Sequence, residues 1–125
     1  VFFCPQSRHA GIPDDAMEEA AKKGRLKLLA YGVEAGYTIF STTDDRFIAH
    51  TGHPEYNATR LADEAKRDHG NPDVPPPVNF DFKEPLNRWR SHRNTFFTQW
   101  VSYCYLKIST QDMSVEKNLL ASTTV

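Results

Sequence analysis

Five of the eight prolines fall in one stretch, "GNPDVPPPVNFDFKEP" (70–85), and this stretch limits what the chain can become. Each proline fixes its own φ and lacks an amide donor, so neither a helix interior nor a central strand can run through it. The chain is thereby divided. Mixed helical and strand patterns occupy residues 1–69, and a single helical pattern follows the break. The break itself is expected to be extended chain draped over the surface.

After the break, Trp89, Phe96, Phe97, Trp100, Val101, Cys104 and Tyr105 recur at three- and four-residue steps. This is the strongest helical period in the chain, and it predicts a helix with one face buried against a sheet or another helix. The tail "QDMSVEKNLLASTTV" has no clear pattern, so the expected organisation is a domain over 1–108 and an irregular tail over 109–125. Before the break, "VFF" reads as a short buried strand or the end of one, stopped by Pro5. "IPDDAMEEAAKKGR" reads as a surface helix. Pro13 suits its first turn, acidic residues gather at its positive end, Lys22 and Lys23 lie at its negative end, and Gly24 offers a left-handed cap. "LKLLAYGVE", "YTIFST" and "RFIAHT" are rich in β-branched and aromatic residues, and "TDD" supplies a turn, so Tyr37 to Thr51 should form a hairpin. Asn57 is placed to cap a helix over roughly 58–69 that stops at Gly70. The fold class is α/β.

At 125 residues the chain has the length of one modest domain. A formal net charge of −1 gives no electrostatic reason to expect nucleic acid or an anionic membrane surface as partner. No apolar run approaches the ~18 residues of a membrane span. Cys4 and Cys104 are too few for a disulfide scaffold and match no zinc spacing, so reduced thiols in a cytoplasmic protein are the expectation. The chain begins with Val and an apolar stretch, which reads as the inside of a larger protein and not as a signal peptide.

The chemistry concentrates in "TGHPEYNATRLADEAKRD" (51–68). In an extended segment residues i and i+2 share a face, so His53 and Glu55 can converge on one pocket. A carboxylate on one imidazole nitrogen fixes the tautomer and leaves the other nitrogen to take a proton from a nucleophile or a hydroxyl. The plainer alternative is a structural histidine at a strand end. His50 and His53 invite a metal reading, but i and i+3 point to opposite faces of a strand and no third ligand is evident, so no metal is expected. For Arg67 the local alternative is a surface pair with Asp63, four residues earlier. Ser7 could be a loop residue capping backbone amides, and Cys104 reads as a small core residue.

Together with "PQSRHAGI", "NRWRSH" and "FFTQWVSY", this segment resembles the homoserine O-acyltransferases, over most of residues 2–108 and in the same order. The resemblance implies the C-terminal half of a class I glutamine amidotransferase-like, flavodoxin-like three-layer fold. It also implies acyl transfer, succinyl or acetyl, from acyl-CoA as co-substrate to the hydroxyl of L-homoserine in methionine biosynthesis, with no permanently bound cofactor. Carried over by position, His53 matches the general base and Glu55 its partner carboxylate. Arg67 matches the arginine that binds homoserine, and Ser7 the serine of a Pro-His-Ser-Arg segment that contacts substrate. The family's reaction is ping-pong through an acyl-cysteine. The resemblance implies that the nucleophilic cysteine lies in the half preceding this chain's first residue; Cys4 falls where the family has an ordinary residue and is not taken as the nucleophile. The expected partner is therefore an N-terminal half carrying that thiol, in the same or a companion chain, with self-association left open.

Three positions depart from the family pattern: Gln6 replaces a histidine, the proline-rich stretch is shortened, and His50 occupies a usually apolar strand position. Two other readings stay open on the residues. One is a class I amidotransferase-type hydrolase, and the other is a non-catalytic binding or regulatory half.

Overall fold

The computed structural model describes residues 1–8 and 10–122, with side chains as far as Ile108. It comprises two compact units, residues 1–89 and 90–125.

In the first unit, helix α1 (Asp14–Lys22) precedes strands β1 (Leu26–Gly32), β2 (Gly36–Thr42) and β3 (Ile48–His50), and helix α2 (Arg60–Arg67) follows them. The strands form an antiparallel sheet in the order β1-β2-β3. Chain-adjacent strands pair because short turns join them. Gly32 faces Gly36 across the first turn, and Ile39 faces His50 across the second. The expected hairpin is thus present, with β3 only three residues long. Its turn is held by Asp45, which adopts φ 56° and accepts from the Ser41 hydroxyl at 2.9 Å. α1 follows Pro13 at its N-cap and ends before Gly24, whose φ of +67° is the left-handed conformation anticipated for the cap. Only Met17 of this helix is buried, in keeping with its small apolar content.

The hydrophobic core is small: Met17, Ile39 and Trp89 are its buried apolar side chains among the described residues. Leu29, Tyr31 and Phe47 stay exposed on and beside the sheet. α2 starts two residues later than expected, yet Asn57 does serve it, since its Oδ1 accepts from the amides of Thr59 (3.2 Å) and Arg60 (2.9 Å). The proline-rich break carries no helix or strand, as its composition demands.

Two expectations on local structure are corrected. Residues 1–3 form no strand, and Phe2 and Phe3 are exposed. A strand needs a ladder of partners. The backbone of the following residues meets the sheet's exit at the bond from the His53 amide to the Pro5 carbonyl, 2.8 Å.

The second correction concerns the last helix, α3, which spans Arg90–Ser122. It runs through 109–122, where the sequence suggested an irregular tail; residues 123–125 lie outside the described residues. Its apolar stripe is covered only in part: Phe97, Val101 and Tyr105 are exposed, while Phe96, Trp100 and Cys104 are half-buried. The period correctly marks a helix, but as far as it is described this unit is one helix, with no second element of its own to cover the stripe. No described helix is long and apolar enough to cross a membrane.

Candidate active site

The site is built where β3 ends. Gly52 follows the strand by two residues, and a Cβ there would lie 2.5 Å from Gln6 Nε2, 2.7 Å from Cys4 Sγ and 2.9 Å from the Pro5 carbonyl oxygen. The last of these is backbone and cannot swing aside, so the close approach of residues 4–6 to the strand exit requires glycine. Arg8 secures the same loop from its other end, donating to Thr51 Oγ1 at 3.1 Å and to the Ala35 carbonyl. The result is that Ser7 is carried to His53.

His53 and Glu55 converge as the two-residue spacing predicts. His53 Nδ1 lies 2.8 Å from Glu55 Oε1. An ionised carboxylate only accepts, so Nδ1 carries the proton and Nε2 is the nitrogen left for chemistry. Nε2 lies 3.2 Å from the Ser7 carbonyl oxygen, which can accept from it once it is protonated. The imidazole face is stacked on the Tyr56 ring, with centroids 4.4 Å apart and planes inclined by 17°. Tyr56 is held in turn by Trp89, a buried side chain whose Nε1 donates to the Tyr56 carbonyl at 2.8 Å. The imidazole is thus fixed on three sides while its ring remains about one-third exposed.

Sequence reasoning missed Glu64. Its carboxylate is buried in α2 and accepts from the hydroxyl of Ser7, from the Tyr56 hydroxyl at 2.8 Å and from Arg60 Nε at 3.2 Å. Burial by itself would raise this carboxyl. The hydroxyls of Ser7 and Tyr56 and the charges of Arg60 and Arg67 outweigh it and hold the group below the usual carboxylate range. Its contribution to stability is therefore present above the ordinary carboxylate pKa and is lost as pH falls through the lowered value. The Tyr56 phenol is shifted upward, first by burial and then by the neighbouring Glu64 carboxylate, so it remains the donor. The available signal in the sequence was Arg60-x-x-x-Glu64, which reads as an ordinary surface pair on a helix.

Of the four residues singled out, His53, Glu55 and Ser7 meet here, although the Ser7 hydroxyl is engaged by Glu64. Arg67 lies one turn beyond Glu64 on the same helix. It does not pair with Asp63; its Nε and Nη2 reach Asp68 Oδ1 and Oδ2, both at 2.7 Å, in a bidentate contact on the surface.

Cys4 lies close to His53, and its surroundings favour the protonated thiol. Burial, and then the Glu55 charge, push its thiol up to about 12. Its Sγ is 3.8 Å from His50 Nε2. His50 Nδ1 accepts from the Gly52 amide at 3.2 Å, so this imidazole presents N–H, not a basic lone pair, toward the sulfur.

A histidine whose Nδ1 is engaged by a carboxylate, and whose Nε2 lies beside a backbone carbonyl, is an arrangement that can serve as a general base. Comparison with known proteins narrows the chemistry. The family described as homoserine O-succinyltransferase matches residues 1–110. The chain is 37% identical over 120 residues to the homoserine O-succinyltransferase of Proteus mirabilis, covering 91% of this chain and 38% of that protein. It is 38% identical over 109 residues to homoserine O-acetyltransferases of Lysinibacillus sphaericus and Thermotoga petrophila, covering 82% of this chain and 34% and 35% of theirs. The chain belongs to the homoserine O-succinyltransferase family, and it spans a little over a third of the length of these relatives.

Proposed function

We propose that these residues supply the base and amino-acid-binding part of an enzyme that transfers an acyl group from acyl-CoA to the hydroxyl of L-homoserine, a step of methionine biosynthesis. The observation that carries the reading is the 2.8 Å contact between His53 Nδ1 and Glu55 Oε1 in a chain matched to the family over 1–110. A cysteine outside these 125 residues takes the acyl group from the thioester and releases CoA. His53 Nε2 then accepts the homoserine hydroxyl proton as the oxygen attacks the acyl-cysteine, and Glu55 stabilises the imidazolium that forms. The thiolate leaves and recovers a proton from His53. Arg67 receives the substrate α-carboxylate, for which its planar fork is suited, and Ser7 borders the bound substrate. The finer architecture belonging to this reading is the C-terminal part of a class I amidotransferase-like three-layer fold.

The test is reconstitution. Homoserine acylation is measured for the 125-residue chain alone and for the same residues joined to a thiol-bearing N-terminal segment of a relative. Activity is expected only in the joined form. Acylation by the 125 residues alone at a comparable rate rejects the division of labour.

A further inference from the structure

We infer that Glu64 is a positioning residue for the base: it acts on His53 at one remove, by holding the two groups that fix the imidazole on its Nε2 edge and on its face. The inference rests on the reading of His53 as the base. One carboxylate oxygen accepts from the hydroxyl of Ser7, the residue whose carbonyl oxygen lies 3.2 Å from His53 Nε2. The other accepts from the hydroxyl of Tyr56, whose ring lies against the imidazole with centroids 4.4 Å apart. Glu55 fixes Nδ1 independently. The groups that locate the ring on its other two sides therefore converge on one carboxylate, contributed by a helix that does not itself touch the ring's reactive nitrogen.

Burying a charge is the expensive way to pack a helix, and a similar apolar side chain at position 64 would cover the same space at no desolvation cost. What an apolar residue could not do is accept two hydroxyls and a guanidinium at fixed directions. Arg60 Nε, 3.2 Å from Oε1, keeps the group charged. Ser7 lies 57 residues from Glu64 in sequence, so their bond ties the otherwise element-free N-terminal loop to α2. Without it, the Ser7 carbonyl has only the more distant anchors at Pro5 and Arg8 to keep it beside Nε2.

The test compares Glu64→Gln, Tyr56→Phe and Ser7→Ala in the joined enzyme. Tyr56→Phe keeps the stacked ring and Ser7→Ala keeps the carbonyl, so each removes one arm of the strut without emptying the site. Glu64→Gln is expected to lower kcat at least 10-fold while KM for homoserine changes less than about 3-fold. The losses in the double variants with Glu64→Gln are expected not to add, as befits residues acting in series. In parallel, histidine-selective ¹⁵N NMR of the same proteins reads the ring directly: the His53 nitrogen signals should move in Glu64→Gln and in both arm variants.

Wild-type kcat in Glu64→Gln, or in both arm variants if Glu64→Gln fails to fold, overturns the inference. So does an unmoved His53 spectrum in a folded variant. Because the spectrum needs no substrate, failure of the acyl-transfer reading, which would appear as an inactive parent enzyme, is told apart from failure of the strut.

Discussion

Replacing His53 by Ala in the joined enzyme should lower kcat for homoserine acylation by about 10³-fold, within the range that a positioned general base contributes. The reason is local. The homoserine hydroxyl is a poor nucleophile until its proton has a destination, and in this segment the group oriented to receive it is His53 Nε2, because Nδ1 is committed to Glu55 at 2.8 Å. Loss of the ring should leave KM for homoserine nearly unchanged, since the residue assigned to binding the amino acid sits on α2 and not on the strand exit. Parallel assays of kcat and KM check this. A His53→Ala enzyme that retains activity within about 3-fold of the parent removes the base assignment. Glu55→Gln offers a graded version: the ring stays, the charge that steadies the imidazolium goes, and an intermediate loss is expected.

The second large effect falls on binding. Arg67→Ala should raise KM for homoserine roughly 10- to 100-fold, the loss expected when a bidentate charge-assisted contact to a carboxylate is removed. Here the guanidinium already grips a carboxylate, that of Asp68, through Nε and Nη2. The geometry is that of the proposed substrate contact, with a side chain in the substrate's place. The Arg67 side chain itself is exposed, so an incoming α-carboxylate can compete with Asp68 for its fork. Arg67→Lys should recover the charge but not the fork, leaving KM between those of the parent and Arg67→Ala. A KM unchanged in Arg67→Ala assigns the arginine to the surface pair alone.

How much of this could be read from the sequence depended on the range of the interactions involved. His53 and Glu55 were legible because the two-residue period of extended chain brings neighbours to one face whatever the rest of the fold does. The β2–β3 hairpin and the ends of α1 were legible for the same reason, being set by turn and cap residues within a few positions. Glu64 was hidden. A glutamate four residues after an arginine on a polar helix looks like a solvent-side partner, and its burial becomes visible only once the loop bearing Ser7 is folded against α2. Ser7 was legible as a position but not in its contacts. Its hydroxyl serves Glu64, and its backbone oxygen, which no residue type encodes, is the atom beside the base. The apolar stripe of α3 announced a helix without announcing its cover, because periodicity describes one surface and never the partner that meets it.

Base and thiol are proposed to come from different parts of the polypeptide, and the position of the transferred acyl group decides whether they do. The joined enzyme is treated with isotopically labelled acyl-CoA in the absence of homoserine, quenched in acid, digested and mapped by mass spectrometry. The label is expected on a cysteine outside these 125 residues, with Cys4 and Cys104 unmodified. Cys4 is the critical control: its sulfur lies beside His50 and close to the strand exit, but a thiol pushed up to about 12 stays protonated at neutral pH and does not attack a thioester. An acyl group found on Cys4, and discharged when homoserine is added, would make Cys4 the nucleophile and overturn the proposed division of base and thiol.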